Sequence, residues 1–308
     1  MRVGISFEST GAEALDVLLE GIREAEKDGF DSVFLPNIFG YDALMVAALA
    51  GRITTRVTLG TAVVPTFPRH PFALAQQAMT AQAATGGRLV LGLGPSHRVV
   101  IETMLGLSYE KPARHVREYV EIVRALRDNG GVAFEGETYR VQGSLKIPGG
   151  GAFPILIGAL GPRMVRIAGE LADGTITWMC GPKVLGGTIV PAIRAHAEAA
   201  GRPEPRIVAG IPICVTDDAA AAREKAAKAF IVYGTLPSYR AMLDAEGAES
   251  PADIAIVGNE KEVRASLSRL ASAGVTDFNA AIFPAGSDKT ASRRRTYALL
   301  ASLGGKVD

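Results

Sequence analysis

Short apolar runs alternate along the chain with longer stretches in which apolar residues recur at helical spacing. The runs predict strands at Val3–Phe7, Ser32–Leu35, Val57–Val64, Leu89–Gly94, Pro154–Gly158, Gly174–Met179, Arg206–Val215 and Phe278–Phe283. Most are β-rich and bounded by turn residues. Between the first two, Leu15, Leu18, Leu19 and Ile22 fall on one helical stripe, Thr10 and Glu13 have the spacing of a capping box, and Gly29 stands where a helix C-cap belongs. The stretch from Lys111 to Asp128 turns Val116, Tyr119, Val120, Val123 and Leu126 inward. Near the end, Asn259 and Glu262 are placed to cap a helix with Val263, Leu267 and Leu270 on its core face, and Gly274 closes it before the last strand.

Eight strand–helix units predict an α/β protein of the (β/α)8 TIM-barrel class, whose usual size is roughly 250 residues. The chain has 308 residues, and the surplus can be located. Residues 130–153 read as a short hairpin and a Gly-rich loop inserted before strand five. Residues 234–258 read as an irregular insertion after the seventh helix that covers one barrel mouth. With no Pro/Ser linker or compositional break, residues 1–308 are expected to form one domain; a doubly wound open sheet is the alternative.

Thirty-three basic residues against 32 acidic ones give a net charge of +1, so there is no broad electrostatic footprint for nucleic acid or an anionic membrane. A small or uncharged substrate is the better expectation. Cys180 and Cys214 have no CxxC partner, which fits a reducing compartment. The four histidines lack ligand spacing, and no metal site is expected. The N-terminus turns polar after seven residues, and no apolar run is long enough to span a bilayer. A cytoplasmic location is expected.

In such a barrel the working residues lie at the C-terminal ends of the strands and in the loops that follow. Those segments carry no G-x-S-x-G elbow, no clustered metal ligands and no close pair of acids. They are rich in small residues, which suits close approach to a flat cofactor that carries the chemistry itself. Gly92-Leu93-Gly94 is only part of a dinucleotide fingerprint and is read as a strand ending at Gly94. The exposed turn Pro95-Ser96-His97 follows. His97 there is either a site residue or a solvated loop histidine. Gly161-Pro162 opens a helix whose free N–H groups, with Arg163 alongside, could bind a phosphate; the plain alternative is an ordinary βα turn. Trp178, the only tryptophan, is either core filler or the wall of a ligand pocket.

Five segments, GFDSVFLPN (29–37), RVTLGTAVVPTFPRHPFALAQQA (56–78), GGRLVLGLGPSH (86–97), PILIGALGPRMVRIAGELADGTITW (154–178) and AIVGNEKEVRASLSRLASAGVTDF (255–278), resemble the luciferase-like family of flavin- and coenzyme-F420-dependent oxidoreductases. The GLGPSH and ALGPRM forms resemble its F420-dependent branch. The resemblance implies a (β/α)8 barrel, a homodimer, and hydride transfer between a deazaflavin and a small organic substrate, with reduction of that substrate expected. It implies a cis peptide within Thr61-Ala62-Val63 behind the cofactor ring. It also implies a turn at Gly94, Pro95 and Ser96 along the ring, and a turn at Ala159, Leu160 and Gly161 near the phosphate, with Arg163 and Met164 as neighbouring contacts. Members that oxidise sugar phosphates carry an Asp-His pair where this chain has Asn37-Ile38, and an acid where it has His97, so that activity is disfavoured. On this reading His97 and Asn37 serve catalysis, Trp178 borders the cofactor, and Tyr41 and Phe67 wall the substrate. An FMN-dependent monooxygenase and a non-catalytic F420-binding protein are the alternatives.

Overall fold

The computed structural model describes residues 1–7 and 13–304. Eight parallel strands close on themselves: β1 (Arg2–Ser6), β2 (Ser32–Leu35), β3 (Thr58–Thr61), β4 (Leu89–Gly94), β5 (Ile155–Ile157), β6 (Gly174–Trp178), β7 (Arg206–Val215) and β8 (Asp277–Ile282). Each pairs with its neighbours in chain order, and β8 returns to β1 through Arg2↔Asp277 to Ile5↔Ala280. The barrel expected from the strand–helix alternation is therefore the observed fold.

Around it run α1 (Leu15–Lys27), α2 (Ala43–Ile53), α3 (Pro71–Ala84), α4 (Pro112–Asn129), α5 (Pro162–Leu171), α6 (Val190–Ala199), α7 (Ala219–Ala229), α8 (Ile231–Thr235), α9 (Pro237–Glu246), α10 (Glu260–Ser272) and α11 (Lys289–Ala301). Their starts follow local chemistry. Asp42 accepts from Met45 N at 3.0 Å to open α2. Asn259 and Glu262 form a reciprocal capping box on α10, whose Val263, Leu267 and Leu270 are buried. The inward stripe expected on α4 is likewise buried. Thr10, half of the capping box expected before α1, lies outside the described residues; α1 starts after Ala14.

Two local expectations need correction. The run Val57–Val64 is not one strand: the chain leaves the sheet after Thr61, passes through the Ala62–Val63 peptide, which is cis, and pairs again only at Val64–Pro65. Residues 234–258 are not irregular. They contain α9, the short helix Pro251–Ile254 and a strand, Ile256–Gly258, that pairs with the end of β7. Pro237 at the first turn and Gly247 in the left-handed conformation after the last one delimit α9, and both were visible in the sequence. The hairpin expected before β5 is present, with Gly131–Glu135 antiparallel to Arg140–Ser144.

The N-terminal end of the barrel is closed by ions. Asp277, fully buried, accepts from Arg206 Nε at 3.0 Å and Nη2 at 2.6 Å, from Arg2 Nη2 at 2.9 Å and from Thr276 Oγ1 at 2.6 Å. One carboxylate thus ties β1, β7 and β8 at the seam where the sheet closes. Removing its charge leaves Arg206 buried without a counter-ion, a change that typically costs about 3–5 kcal/mol. Asp277→Asn is expected to lower unfolding stability in urea by that amount. A loss below about 1 kcal/mol, the size of an exposed pair, would show that the seam does not depend on it.

Candidate active site

The C-terminal mouth is shaped by side chains leaning into space that glycines leave. A Cβ on Gly60 would lie 2.4 Å from the Phe34 ring, and one on Gly92 would lie 2.0 Å from the Thr61 carbonyl oxygen. Val63 lies within van der Waals reach of Gly92, Gly94 and Gly158. With Ala62 it packs on the inner cluster of Phe34, Val90, Leu156, Ile176 and Val208, yet both remain partly exposed. The inner surface is therefore floored by apolar side chains and open above them.

The expected site residues fall in several places. Ala62, Val63, Gly94, Pro95, Ser96, His97 and Trp178 lie at or just beyond the C-terminal ends of β3, β4 and β6, around the same mouth. Thr61 belongs to the frame. It is fully buried, its hydroxyl donates to Gly92 O at 2.8 Å and accepts from Gly92 N at 2.9 Å, and this bridges β3 to β4 where the ladder stops. Ser96 is left-handed (φ 61°), and so is Met179 after β6 (φ 56°). Such conformations are uncommon outside glycine and cluster at functional sites. The Ser96 carbonyl is held by Tyr109 Oη at 2.9 Å.

After β5, Ala159 is buried, Leu160 and Met164 pack on the core, and Gly161 is the N-cap of α5. A Cβ added at Gly161 meets nothing within 4 Å, so the helix start faces open space. Arg163 beside it is exposed. An anion fits here without displacing a side chain, met by partly positive N–H groups.

Asn37, Tyr41 and Phe67 stand apart with most of their contacts already made. Asn37 Oδ1 accepts from Ala43 N at 3.1 Å, and the Tyr41 hydroxyl donates to the Glu13 carbonyl at 3.0 Å. Phe67 stacks on His115 (3.7 Å between centroids, planes 4° apart) and on Tyr109 (5.0 Å). His115 hydrogen-bonds Thr66 Oγ1 at 2.9 Å, and burial lowers its pKa to about 4 against a smaller opposing effect of Glu118. This stack buttresses the chain after β3.

The insertion at 234–258, expected to cover one barrel mouth, supplies Tyr239 to an aromatic wall there, and the segment before it supplies Phe230 and Tyr233, none of which the sequence reading named. Phe230, Tyr233 and Tyr239 continue from Trp178 toward His97: Trp178–Phe230 centroids are 6.2 Å apart, Trp178–Tyr233 5.7 Å, Tyr233–Tyr239 5.2 Å and Tyr239–His97 5.5 Å. Glu246 anchors α9 by accepting from Lys183 N at 3.1 Å and Val184 N at 2.8 Å. Burial lowers the pKa of His97 from its ordinary value and so favours the neutral imidazole. Burial raises the Tyr239 phenol and the Cys180 thiol, which both stay protonated. A cavity of about 310 Å³ lies outside the barrel, bordered by Ile211, Glu246, Arg269 and Leu270. None of the mouth residues named above lines it.

Trp178 Nε1 and Asn279 Oδ1 are buried without a hydrogen-bond partner. Orphaned polar atoms beside open, small-residue space suit a flat ligand with polar edges. Among the described residues no group of three or more His, Cys, Asp or Glu could hold a metal ion, and no helix is long and apolar enough to cross a membrane.

Three comparisons bear on this geometry. The profile of the luciferase-like monooxygenase family matches residues 1–277. A protein named as a coenzyme F420-dependent oxidoreductase in Mycobacterium tuberculosis is 33% identical over 244 residues, covering 72% of this chain and 69% of the relative. The coenzyme F420 dependent tetrahydromethanopterin reductase of Methanopyrus kandleri has a similar structure (TM-score 0.81, 24% identity, 99% and 98% of the two chains). So does the FMN complex of the oxygenating constituent of a diketocamphane monooxygenase from Pseudomonas putida (TM-score 0.77, 17% identity, 100% and 97%).

Proposed function

Because the chain belongs to the luciferase-like monooxygenase family, we propose that it is a coenzyme F420-dependent oxidoreductase, acting as a reductase of a small organic substrate. The observation that carries the reading is the mouth itself, open over Val63 and bordered by residues with backbone and neutral groups to offer. The F420-dependent relative at 33% identity supports the choice of cofactor. When bound, a deazaflavin supplies the carbon that gives up or receives the hydride.

The protein's own contribution is alignment, since donor and acceptor atoms must come within roughly 3–3.5 Å. Ala62 and Val63 would back the ring, and Gly94, Pro95 and Ser96 would run along it. Ala159, Leu160 and Gly161, with the N–H groups of Arg163 and Met164, would hold the phosphate. Pro162 has no N–H to give. His97, whose imidazole burial biases toward the neutral form, keeps one N–H and one lone pair and can orient a substrate oxygen by a hydrogen bond. Trp178 and Tyr239 enclose the space between. Asn37, where the sugar-phosphate oxidisers carry an acid, has one Oδ1 lone pair committed to Ala43 N.

The second reading is an FMN-dependent monooxygenase, favoured by the FMN-bound structural relative. Titration with F420 and with FMN under matched conditions, followed by fluorescence quenching, separates the two. F420 is expected to bind tighter; tighter FMN binding would overturn the proposal.

Turnover tests His97. His97→Ala is expected to lower kcat on the order of a hundred-fold, the usual scale of one positioned hydrogen-bond donor to developing charge, with F420 affinity unchanged. Because burial lowers its pKa, the wild-type rate should fall only on the acid side, as the imidazole takes up a proton, and His97→Asn should remove that fall. Unaltered turnover in both variants would make His97 a loop residue.

A further inference from the structure

The turn that follows β4 is held at both ends by residues from other parts of the chain. At its start the Gly94 carbonyl accepts from Thr66 N at 2.9 Å and from Thr66 Oγ1 at 3.3 Å. At its end the Ser96 carbonyl accepts from Tyr109 Oη, and Ser96 itself is left-handed. A serine keeps that conformation only where its surroundings impose it. The two holds belong to one assembly, because Phe67, next in the chain to Thr66, stacks on Tyr109 and on His115. The Arg98 guanidinium lies 5.4 Å over the Tyr109 ring and steadies it further.

Behind Thr66 the contacts run outward to the inserted hairpin. Thr66 Oγ1 lies 2.9 Å from His115 Nε2, and His115 Nδ1 lies 3.3 Å from the Tyr139 hydroxyl. Tyr139 is placed by the turn of the hairpin, where the N–H groups of Glu137, Thr138 and Tyr139 donate to the Glu118 carboxylate at 3.0, 2.8 and 3.0 Å. Glu118 is buried, and it stands three residues from His115 on the same face of α4. Proton counting gives this relay a direction. Thr66 has one hydroxyl proton, and giving it to Gly94 O leaves Oγ1 to accept from His115 Nε2–H. Burial keeps the imidazole neutral, so Nδ1 then carries no proton and accepts from the Tyr139 hydroxyl.

We propose that the hairpin inserted before β5 braces the Gly94–Ser96 turn for the cofactor, with Tyr139, His115 and Thr66 as positioning residues at one end and Tyr109 at the other. Their side chains act through the two carbonyls of the turn. The inference rests on the oxidoreductase reading only in taking this turn as the one that meets the cofactor.

The first readout needs no ligand. Nitrogen NMR of the His115 ring is expected to show the Nε2–H tautomer at neutral pH. The Nδ1–H tautomer would mean that the Thr66 proton points to the histidine and not to Gly94, and would overturn the proposal. The second readout is F420 affinity by fluorescence quenching, measured beside the urea unfolding midpoint. Tyr109→Phe and Thr66→Val each remove one hydroxyl with little change of shape, and each should weaken binding about five-fold, the scale of one hydrogen bond. Thr66→Ser, which keeps the hydroxyl, should bind like the wild type. Tyr139→Phe, out on the hairpin, should weaken binding in the same direction with a native-like midpoint. Because both ends hold one turn, Thr66→Val and Tyr109→Phe combined should cost less than the product of their separate effects. Wild-type affinity in both Tyr109→Phe and Tyr139→Phe would overturn the proposal, whether or not Thr66→Val folds. So would a loss in Thr66→Val that Thr66→Ser shares. If the wild type binds FMN and not F420, and the variants show the same pattern on FMN, the cofactor assignment falls and the brace stands. A wild type that binds neither overturns both.

Discussion

Everything at the mouth depends on how the inside of the barrel is filled. Eight parallel strands bring more backbone to the axis than bulky side chains on every strand would allow, and such barrels normally solve this with stacked layers of branched residues. Here glycine alternates with large residues around the ring instead. Phe34 lies over Gly60, Ser32 over Gly4, the Trp178 ring beside Gly210, and Val63 against Gly92, Gly94 and Gly158. The floor is therefore dense, while the level above it is left to backbone and small side chains. A planar ligand needs that shape, and a barrel packed to its rim could not offer it.

Charge is distributed to match. The opposite end carries the buried Asp277 carboxylate with Arg206 and Arg2, a strong but internally satisfied cluster. At the mouth the titratable groups are held neutral by burial: His97 below its ordinary pKa, Tyr239 and Cys180 above theirs. Recognition there has to come from shape, N–H groups and single hydrogen bonds. The aromatic wall of Phe230, Tyr233 and Tyr239 then narrows the opening, and Glu246 fixes its Tyr239 helix by capping the helical turn at Pro182.

Much of this was legible in the sequence because it is local. Ser32–Leu35, Leu89–Gly94 and Arg206–Val215 have the same bounds in sequence and structure, since short apolar runs closed by turn residues admit little else. The turns after β4 and β5 were located for the same reason. The break in β3 could not be found from periodicity, as Val57–Val64 reads as one β-rich segment; only the resemblance pointed to the Ala62–Val63 peptide. Helix α9 was missed although Pro237 and Gly247 mark its ends, because its surroundings look loop-like. The closure of the barrel was beyond reach in its register: Gly4 pairs with Asn279 across 275 positions, and no local signal encodes a register around a closed sheet.

The central claim, that open space over Val63 is where the cofactor ring lies, is tested most directly by filling it. A Cβ at Gly158 meets only ordinary contacts, 3.6 Å to Leu93 O and 3.8 Å to Val63, so Gly158→Leu fits its own backbone and extends toward the mouth. The measurement is F420 affinity of this variant, by fluorescence quenching, alongside its urea unfolding midpoint. The account predicts a native-like midpoint with F420 binding weakened at least ten-fold, about 1.4 kcal/mol. A native-like midpoint with undiminished F420 affinity would contradict it, and the ring would have to lie elsewhere.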